Sequence, residues 1–484
     1  MKRRIQIFSL ITAVITFSLA LSGCAGANSD ELYIFNTKGE NAQAMQAACD
    51  AFTEETGIPV RLFSLGSGTD SLELMRTEMN SREKPAIFCV MSPSELTEWV
   101  EGGFARPMSD AVTEEFRTLA ADIPADLALT DGVDSYGVPF NIEGYGFVVD
   151  TEMLSDIFGD GEAVAEAIRE ASWEEWEALV LALSAYIDRD SASTVTLAGR
   201  DFTMKPEKTG RAANLEGVFS TAGAQPWTYG DHMVNVALNA VFTGPADALK
   251  AGEGEVRGMH GALVAYARAL DLKTAHAVTP RGPEFINNTT GGYDASVENF
   301  ASGKAVFLKQ GNWVEGNFAA TSNPDIVQTL TIIPVKLPLA DADVTAVGRT
   351  AEYINTSIPV YVPNYYVINA RVNEQQQEWA EQFLVWLNTS QTGQRFVTQD
   401  MGFIPYNAEP DAGTISSSLG RAIAGYVKRG QTISNPYAGA PSGWSNTGLG
   451  QYVMEKWLTV ENWDESTYED IARYGVEEWI AMRG

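Results

Sequence analysis

Hydrophobic and polar positions alternate between two spacings along this chain, and the switches between them outline its elements. Residues 31–35 form a short apolar run of strand length, followed by a polar loop and then an amphipathic stretch over 42–56 that Gly57 terminates. A second apolar run at 59–63, a helical stretch at 71–81 and a third run at 86–90 complete a β-α-β-α-β series. Strand-sized runs joined by helices predict a doubly wound parallel sheet. In such sheets ligands gather beyond the carboxyl ends of the strands, which places 36–40, 64–70 and 91–95 around one mouth. Beyond residue 139 the pattern restarts, with a strand at 146–149, helices at 162–171, 173–187, 233–241 and 256–272, and a strand at 305–309 running into Gly311-Asn312-Trp313. Residues 280–292, rich in Gly, Pro and Asn, read as loop. A last strand and helix, 365–369 and 374–387, are the right pair to complete the first sheet.

The N-terminus follows another logic. Met1-Lys2-Arg3-Arg4, an apolar stretch over 5–20 and small residues make a secretory signal, too short to serve as an ordinary membrane span. Its end, Leu21-Ser22-Gly23-Cys24, resembles the lipobox of bacterial lipoproteins. That resemblance implies a signal peptide of residues 1–23 and acylation of Cys24, palmitate included. It also implies a linker to residue 30 and a body held on the extracytoplasmic face of a bacterial membrane.

Composition narrows the chemistry. The 484 residues carry a formal net charge of −30, and loss of Lys2, Arg3 and Arg4 with the signal takes it to −33. Such a surface repels phosphate backbones, so nucleic acid is excluded as a partner. With Cys24 assigned to the lipobox, Cys49 and Cys89 remain; both read as buried small hydrophobes, a disulfide between them being the alternative. Three histidines, with no HExxH and no CxxC, leave little for a metal site, and no cofactor is expected.

Several segments, each weak alone, have a telling order: Thr56-Gly57-Ile58-Pro59-Val60, Lys84-Pro85-Ala86-Ile87-Phe88, Glu101-Gly102-Gly103-Phe104-Ala105-Arg106-Pro107, and Tyr136-Gly137-Val138-Pro139-Phe140-Asn141-Ile142-Glu143-Gly144-Tyr145-Gly146. Trp173-Glu174-Glu175-Trp176 follows, with Ser172 a natural N-cap, and then Phe300-Ala301-Ser302-Gly303-Lys304-Ala305-Val306 leading to Trp313. Together they resemble the family 1 extracellular solute-binding proteins of ABC carbohydrate importers, the maltose-binding-protein-like family. The resemblance implies a type II periplasmic-binding-protein-like α/β fold of two lobes. Residues 31–138 and 334–400 would form the first lobe and 143–330 and 405–484 the second, with crossings near 139–143, 333–336 and 402–406. It implies a monomer that captures a sugar or oligosaccharide in the cleft and delivers it to a permease, with no catalysis. The stretch 337–363 is longer and more polar than the family's usual connection, and Met91-Ser92-Pro93-Ser94 lacks the Asp-Arg pair of maltose binders.

A sugar has apolar ring faces and a hydroxyl rim, so its site needs flat aromatic rings and bidentate polar groups. By the resemblance, Trp313, Trp444 and Trp227 are the stacking candidates, and Glu143, at the first crossing, is the carboxylate that accepts from sugar hydroxyls. Lys38 and Glu40 follow the first strand; Asn141, Arg349 and Glu352 rest on location, and His232 reads as a satisfied structural histidine. Two alternatives remain. One is the same fold with a non-sugar solute (glycerol phosphate, a polyamine or a peptide). The other is an extracellular glycoside hydrolase, which needs two carboxyls roughly 5 to 10 Å apart. For the N-terminus, Cys24→Ser is expected to abolish lipidation and release the protein from the membrane fraction. Mass spectrometry showing an unlipidated wild-type chain that starts at another residue would contradict the lipobox reading.

Overall fold

The computed structural model describes residues 30–66, 72–124, 127–406 and 415–483. The signal segment and Cys24 lie outside the described residues. The side chain of Glu40 is likewise outside them.

Fourteen strands are described, β1 Leu32–Asn36, β2 Val60–Ser64, β3 Ile87–Val90, β4 Leu129–Thr130, β5 Ser135–Pro139, β6 Glu143–Asp150, β7 Thr194–Leu197, β8 Arg200–Thr203, β9 Gly217–Ser220, β10 Ala305–Gly311, β11 Leu330–Ile333, β12 Ile358–Tyr361, β13 Tyr365–Ile368 and β14 Thr432–Ile433. The first sheet runs β2-β1-β3-β13-β5-β4. β1 lies parallel to β2 and β3, as the β-α-β-α-β pattern predicts, and β13 enters antiparallel between β3 and β5. The helix Ala42–Thr56 covers this sheet with Met45, Ala48, Cys49 and Phe52 and ends at Gly57, whose φ of 76° suits a residue without a Cβ. Cys49 and Cys89 are separate buried thiols, pushed by burial up to about 12 and about 11, so neither is a ready thiolate.

The second sheet runs β14-β12-β6-β10-β9, with β11 also on β6. β6 is buried along all eight residues. Phe147 and Val149 enter one apolar core with Trp176, Phe219 and Phe307, whereas Val148 enters the other, beside Leu308 and Ile332. This is the two-residue period of a strand covered on both faces. The helix Trp173–Arg189 that supplies Trp176 begins with a Ser172–Glu175 capping box, as its sequence implies.

The crossings are tied to one another. Ile142 N donates to Ile404 O at 2.8 Å, Phe140 N to Asn364 O at 3.0 Å, and the Phe140 ring packs edge-on to Phe403 at 5.0 Å. The second crossing differs from expectation. After β11 the chain does not return to the first sheet at 333–336. It stays on the second lobe, where Lys336 Nζ donates to Asn355 O at 2.9 Å and Leu337 N to Asn355 Oδ1 at 2.8 Å. β12 then pairs with β6, and the chain changes sheets only between Tyr361 and Tyr365. The long polar stretch therefore belongs with the second sheet, and the return segment of the first lobe begins near 362 instead of 334.

One buried ion pair locks the first lobe internally. Glu381 accepts from Arg106 Nη2, from Val112 N at 2.8 Å and from the Thr113 N and Oγ1 at 2.6 Å each. Burial alone would raise its pKa, but the bonds from Thr113, Val112 and Arg106 outweigh it and hold the carboxyl below its usual range. A depressed carboxyl stabilises the fold above its unfolded pKa and loses that contribution as pH falls through the folded value. Glu381→Ala strands the Arg106 charge and is expected to cost about 3–5 kcal/mol. In thermal unfolding scans the wild-type advantage at pH 7 should narrow as the pH falls below about 4.

Candidate functional site

The mouth of the first sheet is shaped by Asn36, the last residue of β1. Its Oδ1 accepts from Lys38 N, and its Nδ2 donates to Lys38 O and Ser64 Oγ, all at 3.1 Å. This side-chain turn sends Lys38 across the cleft, where Nζ donates to Glu143 Oε1 at 2.5 Å. Asn141 Nδ2 reaches the same oxygen at 3.2 Å. Lys38 and Glu143 are 8% and 2% exposed, so this is a buried pair joining the first-lobe loop to the start of β6. The Oδ1 of Asn141 is buried without a partner, an acceptor available to a hydroxyl or water. The structure thus brings together three of the sequence candidates, Lys38, Asn141 and Glu143. Glu40 sits in the adjoining turn Gly39–Asn41.

The second-lobe wall is built of rings. Trp313 follows β10, and its ring lies back over Gly311, where a Cβ would come within 2.1 Å of it; the glycine before the tryptophan is there for space. Trp313 Nε1 donates to Gln310 Oε1 at 3.0 Å, which fixes the indole. His232 stacks on Tyr145 at 4.1 Å and 15°, and its ring centre is 5.1 Å from both Trp227 and Trp313. Trp227 is in turn 6.0 Å from Tyr293. Trp313 and Trp227 therefore join one half-buried aromatic surface. His232 and Tyr145 belong to it as well, so the histidine is structural in its burial but part of the wall. Tyr145 lay inside the quoted crossing segment; nothing local marked His232.

Between the lobes, beside Trp313, is a cavity of about 310 Å³ bordered by Asn41, Asn312, Glu315, Asp400 and Phe403. Glu315 caps the helix Ser418–Arg429, accepting from Ser418 N at 3.0 Å, Leu419 N at 2.8 Å and Ser417 Oγ at 2.7 Å. Asp400 pairs with Arg395 at 3.3 Å. These residues escaped sequence reasoning because they meet only through the third crossing.

Three sequence candidates lie elsewhere. Trp444 is fully buried in the second-lobe core, its Nε1 bonded to Gly475 O at 2.8 Å and its ring 4.6 Å from Trp479, so it offers no face for stacking. Arg349 braces a loop, donating to Asn239 O at 3.2 Å and Thr243 O at 2.8 Å, and burial lowers its pKa. Glu352 is exposed on the helix Ala351–Thr356. Both follow the 337–357 stretch onto the second lobe. Among the described residues no cluster of His, Cys, Asp or Glu could hold a metal ion, and no helix is long and apolar enough to cross a membrane.

The family model described as bacterial extracellular solute-binding protein matches residues 47–416. No curated protein matches the chain. Among solved structures, a chitin oligosaccharide binding protein aligns over 93% of this chain and 100% of its own at 14% identity and a TM-score of 0.59. The GacH receptor of Streptomyces glaucescens, solved unliganded and with acarbose, aligns over 93% and 98% at 11% identity and a TM-score of 0.60. MalE of Bdellovibrio bacteriovorus bound to maltotriose aligns over 93% and 100% at 14% identity and a TM-score of 0.55. At these identities the likeness establishes a shared two-lobed fold. The placement of Trp444 has a direct consequence: Trp444→Ala should cost about 3–5 kcal/mol of stability through a core cavity. Calorimetric unfolding with an unchanged midpoint would show the ring to be dispensable to the core.

Proposed function

Because the chain belongs to the bacterial extracellular solute-binding proteins, we propose that it captures a sugar or oligosaccharide between its lobes and delivers it to the permease of an ABC importer. The observation that carries this reading is the pair of half-buried rings Trp313 and Trp227, backed by the buried Tyr145 and His232, beside the interlobe cavity that Trp313 borders. This wall adjoins the polar Lys38–Asn141–Glu143 group at the first crossing, since Glu143 and Tyr145 lie on one side of β6. Flat rings suit the C–H faces of pyranoses, and carboxylates and carboxamides suit their hydroxyls. The chitin oligosaccharide, acarbose and maltotriose bound by proteins of the same fold support the same class of solute.

Charge argues against the alternatives. A glycerol phosphate site wants arginines, yet the described residues lining the interlobe cavity include no lysine or arginine, and Lys38 at the first crossing is held by Glu143. A polyamine wants available carboxylates, whereas Glu315 is engaged by a helix end and Asp400 by Arg395. As a member of an extracellular family the protein works outside the cytoplasm. In our reading it does so as a monomer tethered through acylated Cys24, without turnover of its solute.

Thermal-shift screening of the purified protein against mono- and oligosaccharides tests the proposal. A cognate sugar at a hundred times its Kd adds about 2.7 kcal/mol to the apparent stability. A raised midpoint with a polyamine or peptide and with no sugar, or release of aglycone from aryl glycosides, would overturn it. Trp313→Ala should weaken sugar binding about tenfold to a hundredfold, on the order of 1 to 3 kcal/mol, with an unchanged melting temperature. Calorimetric titration measures that loss.

A further inference from the structure

Behind the ring wall lies a buried polar pair that contact with a solute does not explain. Lys309, on β10, is 3% exposed; its Nζ lies 3.2 Å from His232 Nδ1 and 4.6 Å from the centre of the Tyr145 ring. His232 lies within 5.1 Å of Tyr145, Trp227 and Trp313 together. We propose that Lys309 is a positioning residue for solute binding: by donating to His232 Nδ1 it holds the imidazole in one tautomer and one orientation, and through it sets the angles among Tyr145, Trp227 and Trp313. This rests on the reading of the ring wall as the solute-binding surface.

A neutral imidazole donates at one nitrogen and accepts at the other. With Nδ1 as acceptor, the proton sits on Nε2, and a half-turn of the ring would put a carbon where the amine needs a lone pair. Without that bond the two ring orientations become nearly equivalent, and the rings packed on either side lose a fixed reference. An ammonium can only donate to Nδ1, whereas a neutral amine also carries a lone pair that could accept from an Nδ1–H, so the tautomer of His232 is the quantity that decides the direction of this bond. The other charged groups acting on Lys309 are Lys273, which opposes its cation, and Asp231, which favours it. Asp231 itself accepts from Ser445 Oγ at 2.5 Å. Burial, and then the charge of Lys309, hold His232 well below the usual imidazole range and hence neutral.

The chain has three histidines, so a long-range proton–nitrogen correlation spectrum of the whole protein is simple, and His232→Phe assigns the pattern of interest. The wild type should show His232 with its proton on Nε2 throughout about pH 5 to 8, and Lys309→Met should show mixed tautomers. A wild-type proton on Nδ1, or an ordinary titration in that range, overturns the proposal whatever solute the protein takes. Maltotriose, raffinose and chitotriose serve as binding probes in calorimetry. For any that binds, Lys309→Met and His232→Phe should each weaken binding about fivefold to tenfold, and the double variant no more than the worse single one. Independent, multiplying losses overturn the coupling. If none of the three binds, the sugar reading is weakened while the tautomer still decides the role of Lys309. If Lys309→Met does not fold, the wild-type spectrum decides it.

Discussion

β6 has no free edge and no free face, and the geometry of the cleft descends from that. β10 occupies one edge, β11 and β12 share the other, and alternate side chains enter two different cores. A strand so enclosed cannot slip, because a one-residue shift would exchange the faces of every side chain. Its first residue is Glu143, so the carboxylate at the crossing is fixed by the packing of the whole second sheet. Tyr145, two residues on, is set by the same register and shares the side of the strand that faces the cleft wall. The ion pair and the ring wall are thus two readouts of one strand.

The charged groups of the cleft are engaged by the protein itself. Glu143 takes Lys38 and Asn141, and Glu315 takes a helix N-terminus. Buried charges that lack partners are costly, so this mutual satisfaction leaves the cleft of an acidic protein suited to the neutral solute proposed for it. Among the described residues Asn141 Oδ1, beside the ion pair, is a buried acceptor with no partner, which suits a hydroxyl.

Local pattern made much of the first sheet legible, since β1, β2, β3 and their helices are consecutive and each carries its own periodicity. β13 was also legible, as a strand–helix pair at the right distance from the rest. The second crossing was not: the 337–357 stretch is polar and lacks a clear period, and its docking through Lys336 and Asn355 is a tertiary contact with no local signature. In the candidate site, Trp313 stood out because a strand with a family-like lead-in runs into it; the need for Gly311 beneath its ring shows only in the structure. Trp444 sat in an equally suggestive Pro-Ser-Gly-Trp setting and turned out to pack on Trp479, which a linear pattern does not reveal. His232 is buried, as read from the sequence, and its neighbours Tyr145 and Lys309 are distant in sequence, so no linear pattern shows which rings it packs among.

The placement of Trp313 against Gly311 also has an entropic consequence. A tryptophan hung from a loop must surrender rotamer freedom when something docks on it, at about 0.5–1.5 kcal/mol per immobilised side chain. Here the ring already lies on its own backbone, with its N–H held by Gln310. Its ordering was completed during folding, so contact with a guest takes no further toll on it. In the role proposed for it, a wall of this kind would be a rigid template that selects guests by whether their faces match the angles it presents, and a poorly matched guest could not recruit it by adjustment.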